Sequence, residues 1–457
     1  MLTRVRTYLL LLLFLGGAVH ADTAANPIVW QTATDQVAAD VRGEALWPLL
    51  TDIAHQTGWH IFVEPGIDRK ADVKFSGLTS GEALKKLLGD LNFAFVPQTN
   101  EANQLYVFAT TMRAATQRVK VIETNAVAVA RHVANELVLK LKPGTDIDAL
   151  ARSLGAKVIG RDDKLGIYRL QFPDAAATDT ALGQLKGNPD VAAVDYNYIY
   201  DAPPAPQAVA NATVAPVSLK LDPSTTSDPC HPIVGLIDTG LQSLGSQLDQ
   251  FVMKPISVTG DTTPLSTTTI THATAMAQTI LRGVSQQSAT SAVKILPVDV
   301  YGSSETATTW NVALGVKAAV DGGATVLNMS LGGTSDSTVL DSIIKQAQGQ
   351  GVVIFAAAGN QPVNTPTYPA AISGVNAVTA LGAQGQLASY ANYGSFVGMA
   401  LPGASMVYLG SQAFVVQGTS PATAFASGIA AGYKGINCDT WSQIQTMMQQ
   451  KFPVPAK

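Results

Sequence analysis

The sequence predicts an α/β protein: a parallel sheet with helices on both faces, preceded by two small α+β domains. Three observations carry this expectation. From Val217 onward, short apolar runs at 233–237, 293–298, 325–329, 352–355 and 377–380 alternate with helix-length segments. Strands that are apolar on both faces and separated by helices belong to a parallel sheet covered on both sides. Charge also thins there, with 9 Lys or Arg and 11 Asp or Glu over residues 217–457. Finally, 457 residues suffice for about three domains, each with its own core.

The chain opens with Arg4 and Arg6, an unbroken apolar run over 8–15, then Gly16, Gly17 and the small-residue exit Val19-His20-Ala21. This is the pattern of a secretory signal peptide, residues 1–21, cleaved after Ala21. The run is well short of the ~20 residues a membrane span needs. An exported protein, periplasmic or secreted, with no membrane span is therefore expected. Residues 35–112 form the first folded block. Ala45, Leu46, Leu49, Leu50, Ile53 and Ala54 recur with helical period over 44–57. Strands are expected at 59–63, 72–75 and 105–108, and a second helix runs from Ser80 through Ala83, Leu84, Leu87, Leu88 and Leu91. This order, with Gln56-Thr57-Gly58 closing the first helix and Leu-Thr-Ser-Gly-Glu-Ala-Leu at 78–84 opening the second, resembles the secretin and TonB short N-terminal domain. The resemblance implies a small adaptor that docks on a cell-envelope protein.

Residues 113–135 lack periodicity and read as a linker. In the second block, 136–200, Leu137, Leu139 and Leu141 alternate as a strand, Lys142-Pro143-Gly144 turns, and Ile147, Leu150, Ala151 and Leu154 mark a helix. Tyr168, Leu170 and Phe172 restore strand alternation, Leu182 and Leu185 mark a second helix, and 191–198 reads as a closing strand. The order βαββαβ is a small α+β sandwich. Residues 201–216, with Pro203, Pro204, Pro206 and Pro216, are expected to be an exposed linker without regular packing, open to proteolysis.

In a parallel sheet, chemistry sits at the carboxyl ends of the strands. The first run, 233–237, leads directly into Asp238-Thr239-Gly240. His272 heads an apolar helical face of Ala273, Met276, Ala277, Ile280 and Leu281. The 352–355 strand ends in Ala356-Ala357-Ala358-Gly359-Asn360, and Gly418-Thr419-Ser420 precedes a small-residue run through Ala422, Ala424, Ala426, Gly428 and Ala430. That run suits a buried helix whose N-terminus presents Ser420. Nucleophilic acyl transfer uses these parts: a serine, an imidazole that takes its proton, a carboxylate that orients the imidazole, and an amide that meets the oxyanion. Residues 346–433 contain no Asp, Glu, Lys, Arg or His, so Ser420 must find its base elsewhere. His272 is the natural candidate, because His231, between Cys230 and Pro232, reads as a surface residue.

The order Asp238-Thr-Gly, His272-x-Thr, Ala-Ala-Gly-Asn360 and Gly-Thr-Ser420 closely resembles the subtilisin-like serine peptidases, the subtilases. Leu327-Asn-Met-Ser-Leu-Gly-Gly333 and Tyr368-Pro-Ala370 match as well. The resemblance implies a catalytic domain over 217–457 in which Asp238 orients His272, His272 is general base then acid, Ser420 is the nucleophile and Asn360 stabilises the oxyanion. It further implies that Ser330, Leu331, Gly332 and Gly333 form an edge for an extended peptide, and that Ala356, Ala357, Ala358 and Gly359 line the primary specificity pocket, with room for a sizeable apolar residue. His272-Ala273-Thr274 stands where the family usually has His-Gly-Thr, and Pro421-Ala-Thr-Ala-Phe425 where it has Met-Ala-Ser-Pro-His. The segment between the His272 helix and Val293 lacks the usual Asn-rich loop, so that calcium site is expected to be absent, and no metal or cofactor is expected. The second block resembles the inhibitor-type subtilase prodomain, which implies an intramolecular inhibitor that assists folding of a slow parallel sheet. Its Val194-Asp-Tyr-Asn-Tyr198 and the following tail would lie in the active site, with self-cleavage between Tyr200 and Val217.

Composition excludes the main competitors. Lys plus Arg is 29 against Asp plus Glu 33, and a net charge of −4 gives no case for nucleic acid. Two cysteines cannot build a disulfide scaffold; in an exported chain Cys230 and Cys438 are a candidate disulfide, the other option being two buried thiols. A zinc peptidase is disfavoured because the paired-His motif is missing. The expected partners are protein or peptide substrates, the chain's own prodomain and an envelope protein. A catalytically silent subtilase fold that serves as an envelope binding module is the alternative, motivated by the adaptor-like first block and the altered flanks of His272 and Ser420.

Overall fold

A computed structural model describes residues 28–32, 34–67, 69–97, 102–119, 131–209, 219–224, 230–245, 247–260 and 265–455. The expected signal peptide lies outside them. The first helix, Leu46–Thr57, buries Leu46, Leu49, Leu50 and Ile53 and ends at Gly58 in the left-handed conformation. The second, Ser80–Leu88, opens with a capping box between Thr79 and Glu82 and buries Ala83, Leu84, Leu87 and Leu88. Both share one core with a three-stranded sheet (Ile28–Gln31, Gln36–Ala45, Lys70–Leu78) and a four-stranded sheet (Asn92–Val96, Gln104–Phe108, His60–Val63, Gln117–Arg118). The Gln36–Ala45 strand escapes sequence reading because only Val37, Ala39 and Val41 alternate as its buried face before the register shifts between Arg42 and Glu44. Such a shift breaks the two-residue alternation.

The second block has the expected order: strand His132–Leu141, helix Ile147–Ser153, strands Lys157–Asp162 and Ile167–Gln171, helix Ala175–Lys186 and strand Val191–Asp201. Its sheet does not stop at its own boundary. Ile199, Tyr200 and Asp201 pair antiparallel with Thr308, Ala307 and Thr306, so a strand of the following domain becomes the fifth in this sheet. Two polar side chains on the same strand sit at the starts of the next domain's helices. Asp195 Oδ2 accepts from Ser337 Oγ, Thr338 Oγ1 and the Val339 N–H, at the N-terminus of helix Thr338–Gly349. Asn197 Oδ1 accepts from the Trp310 N–H at the start of helix Thr309–Asp321, while its Nδ2 donates to Glu136. Unpaired N–H groups at helix starts are thereby satisfied across the interface.

The third region is built on a seven-stranded parallel sheet in the spatial order Ile256–Ser257, Lys294–Asp299, Ile233–Asp238, Val326–Met329, Val353–Ala357, Asn376–Leu381 and Met399–Pro402. Its first strand in sequence lies inside the sheet; the chain builds outward to one side, then crosses and builds to the other. The crevice beyond the carboxyl ends at that reversal is where open α/β sheets place their ligands. Helices His272–Ser285 and Thr419–Asn437 pack against each other through glycines: a Cβ at Gly428 would stand 2.0 Å from the Ile280 carbonyl oxygen. This close approach brings their N-terminal ends, which carry His272 and Ser420, to one place. Cys230 and Cys438 are bonded, with Cα atoms 5.6 Å apart and a sequence separation of 208. Closing so long a loop restricts the unfolded chain by on the order of 5 kcal/mol in the chain-entropy model.

Two linker expectations need correction. Within 113–135, Gln117–Arg118 pairs with Val63 and Phe62, Val119 is buried, and the next strand already starts at His132. Within 201–216, Gln207 and Ala208 pair with Val415 and Phe414, Val209 N–H donates to the Ala413 carbonyl, and Pro206 is buried. Two-residue ladders are too short to print a periodicity, and the proline rings here occupy positions that need not donate. Among the described residues no helix is long and apolar enough to cross a membrane, and no cluster of three His, Cys, Asp or Glu could hold a metal ion.

Candidate active site

Asp238 is the last residue of the Ile233–Asp238 strand, and its carboxylate is 1% exposed. Its Oδ1 accepts from the Thr239 N–H at 2.7 Å and from Thr239 Oγ1 at 3.2 Å; the same hydroxyl accepts from the Ala273 N–H. Both carboxylate oxygens lie 2.8–2.9 Å from His272 Nδ1. With Nδ1 donating to Asp238, the other ring nitrogen, Nε2, keeps its lone pair as an acceptor. His272 is the first residue of its helix, held there by Thr271, whose Oγ1 accepts from the Thr274 N–H. A thread of contacts from Thr239 to Ala273 thus fixes the strand end against the helix start.

Ser420 is the second residue of helix Thr419–Asn437, which starts after Gly418. Gly418 has φ 143°, and a Cβ there would stand 2.9 Å from Asn360 Nδ2. Only glycine lets the backbone turn this close to the amide. Asn360 Oδ1 accepts from the Thr419 N–H at 2.8 Å and from Thr419 Oγ1 at 3.1 Å. That pair of bonds sets the amide's orientation and leaves Nδ2 as its donor. Thr419 Oγ1 also accepts from the Gly359 N–H, tying the Ala-Ala-Ala-Gly-Asn turn to the serine turn. Asp238, His272, Asn360 and Ser420 therefore all stand at carboxyl ends of strands or at helix starts around the crevice. Ser420 and His272 are 6% and 4% exposed, and Ser420 Oγ donates to the Ser330 carbonyl at 3.4 Å rather than to the His272 ring.

The other expected residues fall around this point. Ser330 and Leu331 are buried directly after the Val326–Met329 strand, with Gly332 and Gly333 half-buried. Ser330 Oγ accepts from Asn328 Nδ2 and donates to the Ser420 carbonyl. Gly333 is already engaged in a bridge with Tyr368, so it is not the free edge the sequence suggests. The edges that do receive an extended segment are Thr306–Thr308 and Gln412–Gln417. Ala356 and Ala357 end the Val353–Ala357 strand and Ala358 follows; all three are buried, with Gly359 half-buried beside Thr419. Sequence reading missed Thr239 and Thr419, although each sits inside a recognised motif, between Asp238 and Gly240 and between Gly418 and Ser420. It also missed Asp299, which ends the neighbouring strand beside Asp238 and accepts from the Tyr301 and Gly302 N–H groups. Burial pushes the Asp299 carboxyl above its ordinary range, and the Asp238 charge adds to that.

Comparison with known proteins fits this geometry. The model of the subtilase family matches residues 231–452, and that of the fervidolysin N-terminal prodomain matches 119–197. Thermitase of Thermoactinomyces vulgaris is 33% identical over 202 residues, 43% of this chain and 72% of that protein. The thermostable alkaline protease of Halalkalibacterium halodurans is 37% identical over 151 residues; the chain spans 40% of that relative's length. The thermophilic serine proteinase of Bacillus sp. is 26% identical over 317 residues, 66% of this chain and 78% of that protein. The crystal structure of fervidolysin from Fervidobacterium pennivorans superposes with a TM-score of 0.55 at 16% identity, covering 72% of this chain and 58% of that one, a likeness of fold. The chain belongs to the subtilase family.

Proposed function

We propose that this chain is an exported serine endopeptidase, made as a zymogen whose second domain inhibits it until the linker is cut. The observations that support it most are the bonded Asp238–His272 pair and the Asn360 amide oriented by the helix start that carries Ser420. In this reading Ser420 Oγ attacks the peptide carbonyl while His272 Nε2 takes its proton, and Asp238 stabilises the resulting imidazolium. The negative oxygen of the tetrahedral adduct is met by Asn360 Nδ2 and the Ser420 N–H, the latter at the positive end of a helix. His272 then returns the proton to the leaving nitrogen, and water releases the acyl group by the same steps.

Docking of the second domain through Asp195, Asn197 and the Ile199–Asp201 pairing supports the zymogen reading. Export rests on the N-terminal pattern, and the envelope partner on the residue order over 35–112. The processing test is direct. Wild type should yield a fragment that starts between residues 201 and 217, whereas Ser420→Ala should accumulate as one uncut chain. Equal processing of both would assign the cut to another enzyme. One observation favours the binding-module reading, the Ser420 bond to Ser330 rather than to His272. Hydrolysis of a chromogenic peptide by processed wild type, lost in Ser420→Ala, would dismiss it.

A further inference from the structure

A peptidase must open its nucleophile to substrate, yet Ser420 and His272 are almost fully buried, and three registers lead one segment of the chain to this point. On one side, Ile199, Tyr200 and Asp201 pair antiparallel with Thr308, Ala307 and Thr306. The ladder continues as the Ala202 N–H donates to the Glu305 carbonyl, and Tyr301 Oη donates to the Asp201 carbonyl. On the far side, Gln207 and Ala208 pair antiparallel with Val415 and Phe414 in the strand Gln412–Gln417. Carried two residues toward the nucleophile, that register sets Ala205 opposite Gln417, which directly precedes Gly418-Thr419-Ser420. The third register is a side-chain contact. The Tyr200 ring, 1% exposed, lies 3.5 Å from where a Cβ on Gly333 would stand. Three residues before Gly333 is Ser330, whose carbonyl receives Ser420 Oγ; three residues after Tyr200 is Pro203.

The first two registers bracket residues 203 and 204, and the count from the third sets Pro203 opposite Ser330. We propose that residues 201–209 lie across the cleft as a bound substrate in cleavage register, and that the bond presented to Ser420, Pro203–Pro204, is one the site cannot readily cut. The linker is then a latch: it is gripped on both sides of the nucleophile by the strand addition that recognises extended peptides, and it stays closed because of what stands at 204. This inference rests on the peptidase reading.

The chemistry explains the stop. Cleavage needs Ser420 Oγ to bond to the Pro203 carbonyl carbon, with the hydroxyl proton passing to His272. The bond from that carbon to the Pro204 nitrogen then breaks as His272 returns the proton to the nitrogen, and water later takes the acyl group from Ser420 and restores both residues. A prolyl nitrogen carries a ring carbon where any other residue carries hydrogen. The imidazole must therefore deliver its proton past that ring, on a nitrogen whose φ is fixed. Any other residue at 204 removes the obstacle and leaves the grip unchanged. Removal of the second domain would then start by cutting elsewhere in the linker, in another register or by another molecule.

The test uses the full chain as wild type, Pro203→Ala, Pro204→Ala and Ser420→Ala. Each is incubated, followed by intact mass spectrometry, and separately exposed to a fluorophosphonate. Pro204→Ala should gain a fragment that starts at position 204, which wild type lacks. Pro203→Ala should leave the 203–204 bond whole, because the leaving nitrogen is still prolyl, and Ser420→Ala should stay uncut. Wild type cut at 203–204 as fast as Pro204→Ala would overturn the block. Pro204→Ala left whole at this bond, while its Ser420 takes the fluorophosphonate, would overturn the register. Wild type whose linker has been opened by an added protease, and whose Ser420 is still inert to the reagent, would sink the peptidase reading itself, and the latch with it.

Discussion

Asp238, His272, Asn360 and Ser420 on one hand, and residues 201–209 on the other, are held in place by opposite means. Each of the four side chains stands at the end of an element that the sequence announces through its own apolar pattern. Residues 201–209 have little regular structure of their own; their partners are the edges Thr306–Thr308 and Gln412–Gln417. A pattern of apolar residues records which face a segment buries, and a segment gripped by two foreign edges buries no single face. The lesson is that a site can be read locally, whereas what occupies it is written in registers between distant segments.

The largest expected effect strikes the announced half. Ser420→Ala should lower kcat of the processed enzyme about a million-fold, the size known for the corresponding serine of subtilisin. A residual rate within tenfold of wild type would assign the chemistry to another group. Asn360→Ala should lower kcat by about 10²–10³, as for the corresponding subtilisin donor, with KM nearly unchanged. A matching rise in KM instead would make Asn360 a substrate-binding group.

The scaffold can be broken without touching a catalytic group. Gly428→Ala forces the two helices apart, at a cost of about 1–3 kcal/mol, and should depress both Tm and activity. Unchanged Tm would mean the contact at Ile280 relaxes freely. Weakening the foreign grip has a smaller effect. Asp195→Ala removes a helix cap supplied across the interface, about 0.5–2 kcal/mol, and should raise small-peptide hydrolysis by the uncut chain several-fold. No rise would mean the second domain is held elsewhere.

The pH dependence of the same contact is the smallest effect. Burial pushes the Asp195 carboxyl above its ordinary range, although the bonds from Val339, Ser337 and Thr338 oppose the shift. A carboxyl whose pKa rises on docking binds protons more tightly when docked, so docking is strongest below the shifted value and weakens as pH rises through it. Hydrolysis by the uncut chain should therefore climb with pH over that range, and Asp195→Asn should flatten the climb. An unchanged slope in Asp195→Asn would place the titrating group elsewhere.

Much of the core strands and helices was legible because Leu, Val and Ile recur with one clear period: the expected run at 233–237 is the strand Ile233–Asp238, and the helix expected over 44–57 is Leu46–Thr57. Ser420 was legible because its helix is so poor in charge and so rich in small residues. The strand Gln36–Ala45 was not, since its alternation spans only Val37, Ala39 and Val41 before the register shifts, and Thr306–Thr308 was not, since three residues carry no period. Asp195 and Asn197 look like ordinary polar strand positions until the helix starts they satisfy come into view.

The central claim is that Asp238, His272 and Ser420 act as one nucleophilic unit. Exposure of the processed chain to a fluorophosphonate, followed by peptide mapping, tests it most directly. The adduct should sit on Ser420 alone and vanish in a folded His272→Ala variant; an adduct that persists at the same rate without the imidazole, or that forms on a different residue, would contradict the account.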